Sequence, residues 1–356
     1  MDIKVSVIIP VFNVEKYIAQ TLESVVNQSL KEIEIIIFDN GSSDKTIPII
    51  EDFQKKDDRI ILHKSSVNLK QGLARNICVL EAKGKYIFFI DGDDYMAQNC
   101  LEKMYGKIEK DQTDITICAW NQFDDETGKI LKHPYSKLLQ IPKEFDDKPF
   151  NWKDIKYTVF WQTSVPWDKI YKKDFLITKK VEFPGGIFFE DNVFVYDALF
   201  KAEKISILRD ELMFYRVNRG LAVTNRRDET FFDYLKIFNM IGDNLKKIGI
   251  YDEMKHLYLD YKIITLYWWF KKIKLPYKKR FFEMIKADFK QIQITKKDRE
   301  QVRNRTNFLL SRFTKMPFFV YYPLFFFLDK IFRIEWGVKN FNIVLFSSYE
   351  KYFERK

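Results

Sequence analysis

The sequence predicts an α/β protein whose N-terminal part is a mainly parallel, doubly wound sheet. Three observations predict it: short β-branched runs that stop abruptly, helix-period segments between them, and polar clusters directly after two of the runs. Val5-Ser6-Val7-Ile8-Ile9-Pro10 is almost wholly apolar and stopped by proline, as expected of a strand buried on both faces. Asn13 is placed to cap the next segment, where Tyr17, Ile18, Leu22, Val25 and Val26 recur at helical spacing between Val14 and Gln28. Ile33 to Phe38 reads as a second strand, ending at Asp39-Asn40-Gly41-Ser42-Ser43-Asp44. Lys45 to Lys55 is helical, Arg59 to His63 extended, and Gln71 to Ala82 helical. Tyr86 to Ile90 is a fourth strand, ending at Asp91-Gly92-Asp93-Asp94. Strand and helix alternating at such short intervals is the pattern of a parallel sheet.

At 356 residues the chain fits two domains, or one large domain with an appendage, at roughly 100–200 residues per domain. With 46% hydrophobic and 31% charged residues it can bury a sizeable core, which excludes global disorder. The net charge of +10 is unevenly placed. Residues 231–356 carry 26 basic and 13 acidic side chains, against 34 and 37 in the first 230. Cys78, Cys100 and Cys118 lack metal-type spacing, and their odd number excludes a fully paired disulfide framework, so a reduced, cytosolic setting is expected. His63, His133 and His256 are scattered and leave no histidine-rich metal motif. No signal-peptide pattern and no run of 18 uninterrupted apolar residues occurs, so a conventional membrane span is not expected.

Two polar clusters thus fall at the carboxyl ends of strands, where open α/β sheets bind ligands. Asp39-Asn40-Gly41-Ser42 reads equally as a turn with a helix cap. The second cluster is harder to explain as a solvated turn, because three carboxylates within four residues repel one another. A hard divalent cation would neutralise them and share itself with substrate phosphates. Neither GxGxxG nor GxxxxGK[ST] is present, so the dinucleotide and P-loop readings lack their glycine loops.

Five pieces follow in order: Val5 to Asn13, Asn27-Gln28-Ser29, Asp39 to Asp44, Gly72-Leu73-Ala74-Arg75-Asn76, and Asp91 to Asp94. Together they resemble glycosyltransferase family 2, inverting enzymes of the Rossmann-like GT-A fold that use nucleotide-diphosphate sugars. The resemblance implies a nucleotide-sugar-binding half over residues 1–110 and an acceptor-binding half over 111–230, whereas residues 231–356 depart from the family's common core and read as a helical C-terminal region from their own apolar spacing. It assigns Pro10, Val11, Phe12, Asn13, Asp39, Asn40 and Gly41 to the nucleotide, and Arg75 to the neighbourhood of the diphosphate. Asp91-Gly92-Asp93 becomes the DxD motif holding Mn²⁺ or Mg²⁺, with Asp94 as an additional metal ligand. Many relatives carry a second aspartate where this chain has Asn40, which keeps the turn chemistry but loses a charge.

Further along, Asp114 to Trp120 is a strand candidate and Asp124 to Gly128 a hairpin turn. Glu190 and Asp191 follow an apolar run and open a helical pattern, where acids favour the helix dipole. By resemblance, Asp191 is the catalytic base and Glu190 its neighbour, Trp167 and Asp168 belong to the acceptor site, and Arg216 and Arg219 supply phosphate charge from a closing segment. Asp191 and the Asp91–Asp93 cluster lie on different strand ends, as a base and a leaving-group site on opposite faces of a sugar require. In the tail, helical patterns with Trp268-Trp269, flanking lysines and the run Met316 to Leu328 predict an interfacial segment meeting anionic lipid, or a helical core that packs on the catalytic domain or forms a homodimer. No nucleic-acid recognition motif appears.

These readings converge on an inverting transferase that moves a sugar from a nucleotide donor, by default a UDP-hexose or UDP-N-acetylhexosamine, to a hydroxyl of a glycan or glycolipid acceptor. The surface glycans implied are lipopolysaccharide, capsule or exopolysaccharide, made on the cytoplasmic face of the cell membrane. The alternatives are transfer to a polyprenyl phosphate, and a non-catalytic nucleotide-sugar-binding scaffold.

Overall fold

The structure is a computed structural model that describes residues 2–131, 141–219, 226–292 and 294–302, with 315, 317 and 318. Its first strands, β1 (Val5–Val11), β2 (Ile33–Asp39), β3 (Ile60–Lys64) and β4 (Tyr86–Phe89), alternate with α1 (Ile18–Val26), α2 (Thr46–Gln54) and α3 (Lys70–Glu81). Then follow β5 (Tyr95–Met96), α4 (Cys100–Asp111), β6 (Ile115–Asp124), β7 (Ile130–Leu131), β8 (Lys169–Lys172), α5 (Lys173–Thr178), α6 (Asp191–Lys201) and β9 (Ile205–Val217). The helices α7 (Asp233–Lys247), α8 (Tyr251–Lys272), α9 (Leu275–Gln291) and α10 (Lys296–Gln301) complete the described chain.

All nine strands join one sheet in the order β3-β2-β1-β4-β8-β6-β9-β5, with β7 added to β6. Pairing is parallel from β3 through β2 and β1 to β4. Beyond β4 the sheet is mixed: β8 runs antiparallel to both β4 and β6, and β9 runs parallel to β6. The chain leaves β1 towards β2 and β3, then returns to its other side as β4. The order therefore reverses at β1, and the crevice at its carboxyl end is where such a sheet takes ligands. Register delivers the site residues there, since Val11 pairs with Asp39 and Ile8 with Phe89.

Every residue of β1 and β2 is buried, because helices cover both faces. Val7, Ile9, Leu22, Ile35 and Phe88 belong to one core cluster. Two polar residues lie inside this core, and they satisfy each other: Ser6 Oγ donates to Glu34 Oε1 at 2.5 Å, and the backbone N–H groups of Lys83 and Gly84 donate to the same oxygen. Observed boundaries fall within a few residues of those the periodicity predicts, and the turn at Asp124 joins β6 to β7 as expected. Asn13 is an exception. Its φ is +51°, and its Oδ1 accepts from Ser43 N at 2.8 Å, so it ties the end of β1 to the β2 turn instead of capping α1.

The chain divides into two compact units, Met1–Tyr261 and Lys262–Lys356, with the division inside α8. In the first, α7 buries Tyr234, Phe238, Ile241 and Leu245, and Tyr234 stacks on Phe189 at 4.6 Å. In the second, Lys262 and Asp288 form a buried pair at 2.6 Å, and Lys278 Nζ donates to the carbonyls of Phe270 and Lys271 at the end of α8. Among the described residues no helix is long and apolar enough to cross a membrane. Of the run Met316 to Leu328, only Pro317 and Phe318 are among them.

Candidate active site

β4 runs straight into the acidic turn. One carboxylate oxygen from each of Asp91, Asp93 and Asp94 lies within 4.8 Å of the others. A Cβ at Gly92 would come within 2.8 Å of Val11 Cγ1, so only glycine lets this turn rest on the end of β1. Asp94 is buried, and that burial, reinforced by the charge of Asp91, pushes its carboxyl well above the usual range. Asp93 Oδ1 and Asp94 Oδ2 are buried with no hydrogen-bond partner, which is costly for a carboxylate. Three close carboxylates, two of which carry a buried oxygen without a partner, suit a hard divalent ion such as Mg²⁺ or Mn²⁺.

Arg75, on α3, is the hub of the site. Its fully buried guanidinium donates to Asp91 Oδ1 from Nη2 at 2.6 Å and, from Nη1, to Asp191 Oδ1 at 2.7 Å and Glu190 Oε1 at 3.3 Å. It also lies 5.1 Å from the centre of the Phe183 ring. Burial alone would loosen its proton, but the three carboxylates outweigh that and drive its pKa up. On the acidic side, burial raises Glu190, and Arg75 opposes it. Asp191 is pushed up to about 8 by burial, against the pull of Arg75 and with the charges of Glu190 and Asp91 adding to the rise. The arginine expected beside a diphosphate is therefore seen holding the acidic turn and the Glu190–Asp191 pair together.

The scaffold around Arg75 explains residues to which the sequence reading assigned no role. Gly72 lets α3 approach closely, since a Cβ there would lie 2.9 Å from both Glu190 Cγ and Pro184 O. One turn on, Asn76 exchanges two hydrogen bonds with the backbone of Phe183, at 2.8 and 2.9 Å. Gln28 staples α1 to the segment after the acidic turn, donating to Ala97 O and accepting from Leu101 N. Phe189 sits at φ +62°, strained for a bulky residue, and turns the chain so that Glu190 and Asp191 enter α6 facing Arg75. The motif run around Arg75 was the available signal for Gly72 and Asn76.

On the far side of the turn, Arg216 is buried. Its backbone N–H donates to Asp94 Oδ1 and its Nε to Asp93 O, each at 2.8 Å, while Nη1 meets Asp125 and Nη2 Gln20. The expectation that Arg216 supplies phosphate charge meets a guanidinium taken up by protein groups, so its visible role is to clamp the acidic turn. Arg219 makes an ion pair with Asp93. Trp167 and Asp168, expected in the acceptor site, are buried: Trp167 packs on Trp120 and Tyr215, and Asp168 pairs with buried Lys169 at 2.5 Å. Lys169 in turn holds the carbonyls of Thr163 and Val165, so this motif shapes the loop from beneath and offers no surface to a ligand.

At the end of β2, Asp39 accepts from the N–H groups of Gly41 and Ser42, with Gly41 at φ +83°. Asn40 is buried with Oδ1 unpartnered, whereas Phe12, at the end of β1, is exposed. The structure thus brings the ends of β1, β2 and β4 to one edge of the sheet, and Arg75 ties the turn after β4 to the start of α6.

Comparison with known proteins agrees with this architecture. The profile of Glycosyl transferase family 2 matches residues 6–169. An uncharacterized glycosyltransferase of Methanocaldococcus jannaschii is 31% identical over 234 residues, covering 65% of this chain and 77% of that protein. The poly(ribitol-phosphate) beta-glucosyltransferase of Bacillus spizizenii is 32% identical over 220 residues, covering 61% of this chain but only 32% of that much longer relative. The solved structure of S. aureus TarS 1-349 with UDP-GlcNAc superposes with a TM-score of 0.69 at 20% identity, covering 87% of each chain. The chain belongs to glycosyltransferase family 2, and its fold is GT-A.

Proposed function

We propose that the protein is an inverting glycosyltransferase that transfers a sugar from a UDP-sugar to a hydroxyl of a surface polymer. One observation carries the reading: a single buried guanidinium holds Asp91 of the acidic turn on one nitrogen and Asp191 on the other, at 2.6 and 2.7 Å. A leaving-group site and a base are thereby held at a constant spacing across one crevice, which is the positioning that inverting transfer needs. The kinship with a poly(ribitol-phosphate) glucosyltransferase and the likeness to TarS support a UDP-sugar donor and a surface-polymer acceptor.

In this proposal the ends of β1 and β2, with Pro10 to Asn13 and Asp39 to Gly41, hold the nucleotide. Asp91, Asp93 and Asp94 would hold Mg²⁺ or Mn²⁺, which when bound would supply positive charge to offset that of a diphosphate. Asp191 takes the proton of the acceptor hydroxyl as that oxygen bonds to the anomeric carbon. The bond from that carbon to the diphosphate breaks, its electron pair leaves on the phosphate oxygen, and the configuration inverts. Glu190 and Arg75 hold Asp191 in place, and Arg219 adds charge near the diphosphate. The basic tail meets the membrane surface from the cytoplasmic side.

The test is release of nucleotide from a panel of UDP-, GDP- and dTDP-sugars with and without Mn²⁺. Metal-dependent turnover of one UDP-sugar is expected, as is a fall of about 10²–10⁴-fold in acceptor-dependent transfer by Asp191→Asn with donor binding retained. Absence of both turnover and metal-dependent nucleotide binding overturns the transferase reading. Near wild-type transfer by Asp191→Asn overturns the base assignment alone.

A further inference from the structure

We propose that Lys70 and Arg226, converging on the ring of Phe188, form a subsite for a phosphate group of the acceptor beside the catalytic base. The inference rests on the transferase reading above. Lys70 Nζ lies 4.2 Å from the centre of the Phe188 ring and donates to Gly186 O at 2.7 Å, while the guanidinium carbon of Arg226 lies 5.3 Å from the same centre. These cations come from distant parts of the chain, and neither makes an ion pair among the described residues. Two like charges drawn to one ring repel each other, and an exposed cation–ring contact contributes only about 0.5–1 kcal/mol. An anion between them removes the repulsion.

The neighbouring carboxylates each have a hydrogen-bond partner other than these two cations. Glu190 accepts from Arg75, Asp228 from Thr230 N, and Asp233 from Phe188 N and Lys236, although the charge of Arg226 also reaches Asp228. Lys70 is itself held at φ +63°, with its N–H on Asn68 Oδ1, a strained conformation of the sort that collects at functional sites.

The position supplies the function. Phe188 precedes Asp191 by three residues, so their Cα atoms lie at most about 11 Å apart and the subsite neighbours the base along the chain. The charge of Lys70 is already felt at Glu190. An acceptor with its hydroxyl on Asp191 passes its next few atoms over Phe188, and an ammonium with a guanidinium suits phosphate oxygens there. The acceptor class this selects is a polyol-phosphate or sugar-phosphate chain, not a neutral glycan.

Calorimetry on the full chain would compare ribitol 5-phosphate with ribitol, each also against the doubly substituted Lys70→Gln, Arg226→Gln protein. The expectation is a preference of about tenfold for the phosphate, a difference of about 1.4 kcal/mol. That preference disappears in the double variant and survives in the charge-preserving Lys70→Arg, Arg226→Lys protein. Equal binding of both compounds, or a preference unchanged by the double glutamine substitution, overturns the subsite. Binding to phosphatidylglycerol vesicles that needs both cations, without binding of ribitol 5-phosphate, also overturns it and assigns the pair to a lipid surface. UDP with Mn²⁺, titrated into the wild-type protein, separates the two levels. UDP binding without ribitol 5-phosphate binding removes the subsite alone, and no UDP binding removes the transferase reading beneath it.

Discussion

Asp191, the base of the proposed reaction, illustrates how a single carboxyl acquires the affinity for protons that such a role needs. An ordinary aspartate titrates near 4 and is a poor proton acceptor at neutral pH. Here burial, with the charges of Glu190 and Asp91, outweighs the attraction of Arg75 and lifts the group to about 8. The working form is the carboxylate, so activity is present above that pKa and lost as pH falls through it. We therefore expect kcat/KM, which reports the free enzyme, to rise about tenfold per pH unit up to roughly pH 8. Saturating Mn²⁺ should move this limb to lower pH, because a cation at Asp91 cancels part of the repulsion. A profile flat from pH 5.5 to 8 would mean that the base titrates as an unperturbed aspartate. Arg75 carries the opposite liability: removing it leaves three carboxylates without their counter-charge, and breaking a buried pair of this kind costs about 3–5 kcal/mol.

At the scale of elements, the site depends on how closely α3 lies against the segment from Phe183 to Asp191. Gly72→Ala makes the point, because two effects of opposite sign compete. Alanine favours a helix over glycine by about 1 kcal/mol, yet here its Cβ would meet Glu190 Cγ and Pro184 O at 2.9 Å. Overpacking of this kind costs about 1–3 kcal/mol, so a net loss of stability is expected together with a loss of activity as Glu190 is displaced. Gly106→Ala in α4 is the control, since nothing lies within 4 Å of its Cβ, and it should stabilise by about 1 kcal/mol. Urea unfolding of both variants gives the comparison, and stabilisation by Gly72→Ala would show that the close approach is not needed. Such contacts also mark the limit of reading by periodicity. The strand and helix positions follow from the spacing of Ile, Val and Leu, but which glycine touches which distant backbone does not. Likewise Trp167 and Asp168 look polar and aromatic enough for an acceptor site, and only tertiary packing reveals that rings of β6 and β9 cover Trp167 and that Asp168 is buried against Lys169.

Across the whole molecule, the legible part of the site is the part written in short runs. The acidic turn and the Glu190–Asp191 pair are visible as charge placed directly after apolar strands. Their meeting through Arg75, 115 and 116 residues before the pair, depends on the sheet order that puts β1 between β2 and β4. The clamps Arg216 and Gln28 are long-range too: both stand in legible runs, but nothing in those runs shows which distant groups they hold. Such a site stores electrostatic strain, because Asp93 Oδ1 and Asp94 Oδ2 are buried without partners beside a third carboxylate. Relieving that strain should be measurable as stability in two independent ways. Mn²⁺ at about 100 times its Kd should stabilise the native state by about 2.7 kcal/mol, or roughly 3–5 °C in Tm for a chain of this length. Asp94→Asn should raise the Tm of the metal-free protein where the pH is high enough to ionise the raised Asp94 carboxyl, because it then removes one of the repelling charges, and should abolish most of the Mn²⁺-induced rise. The two changes must go together if the same oxygens cause both. A variant that gains metal-free stability yet keeps the full Mn²⁺ shift would place the ion elsewhere, and one that loses metal-free stability would mean that Asp94 contributes more through its bond from Arg216 N than its charge costs.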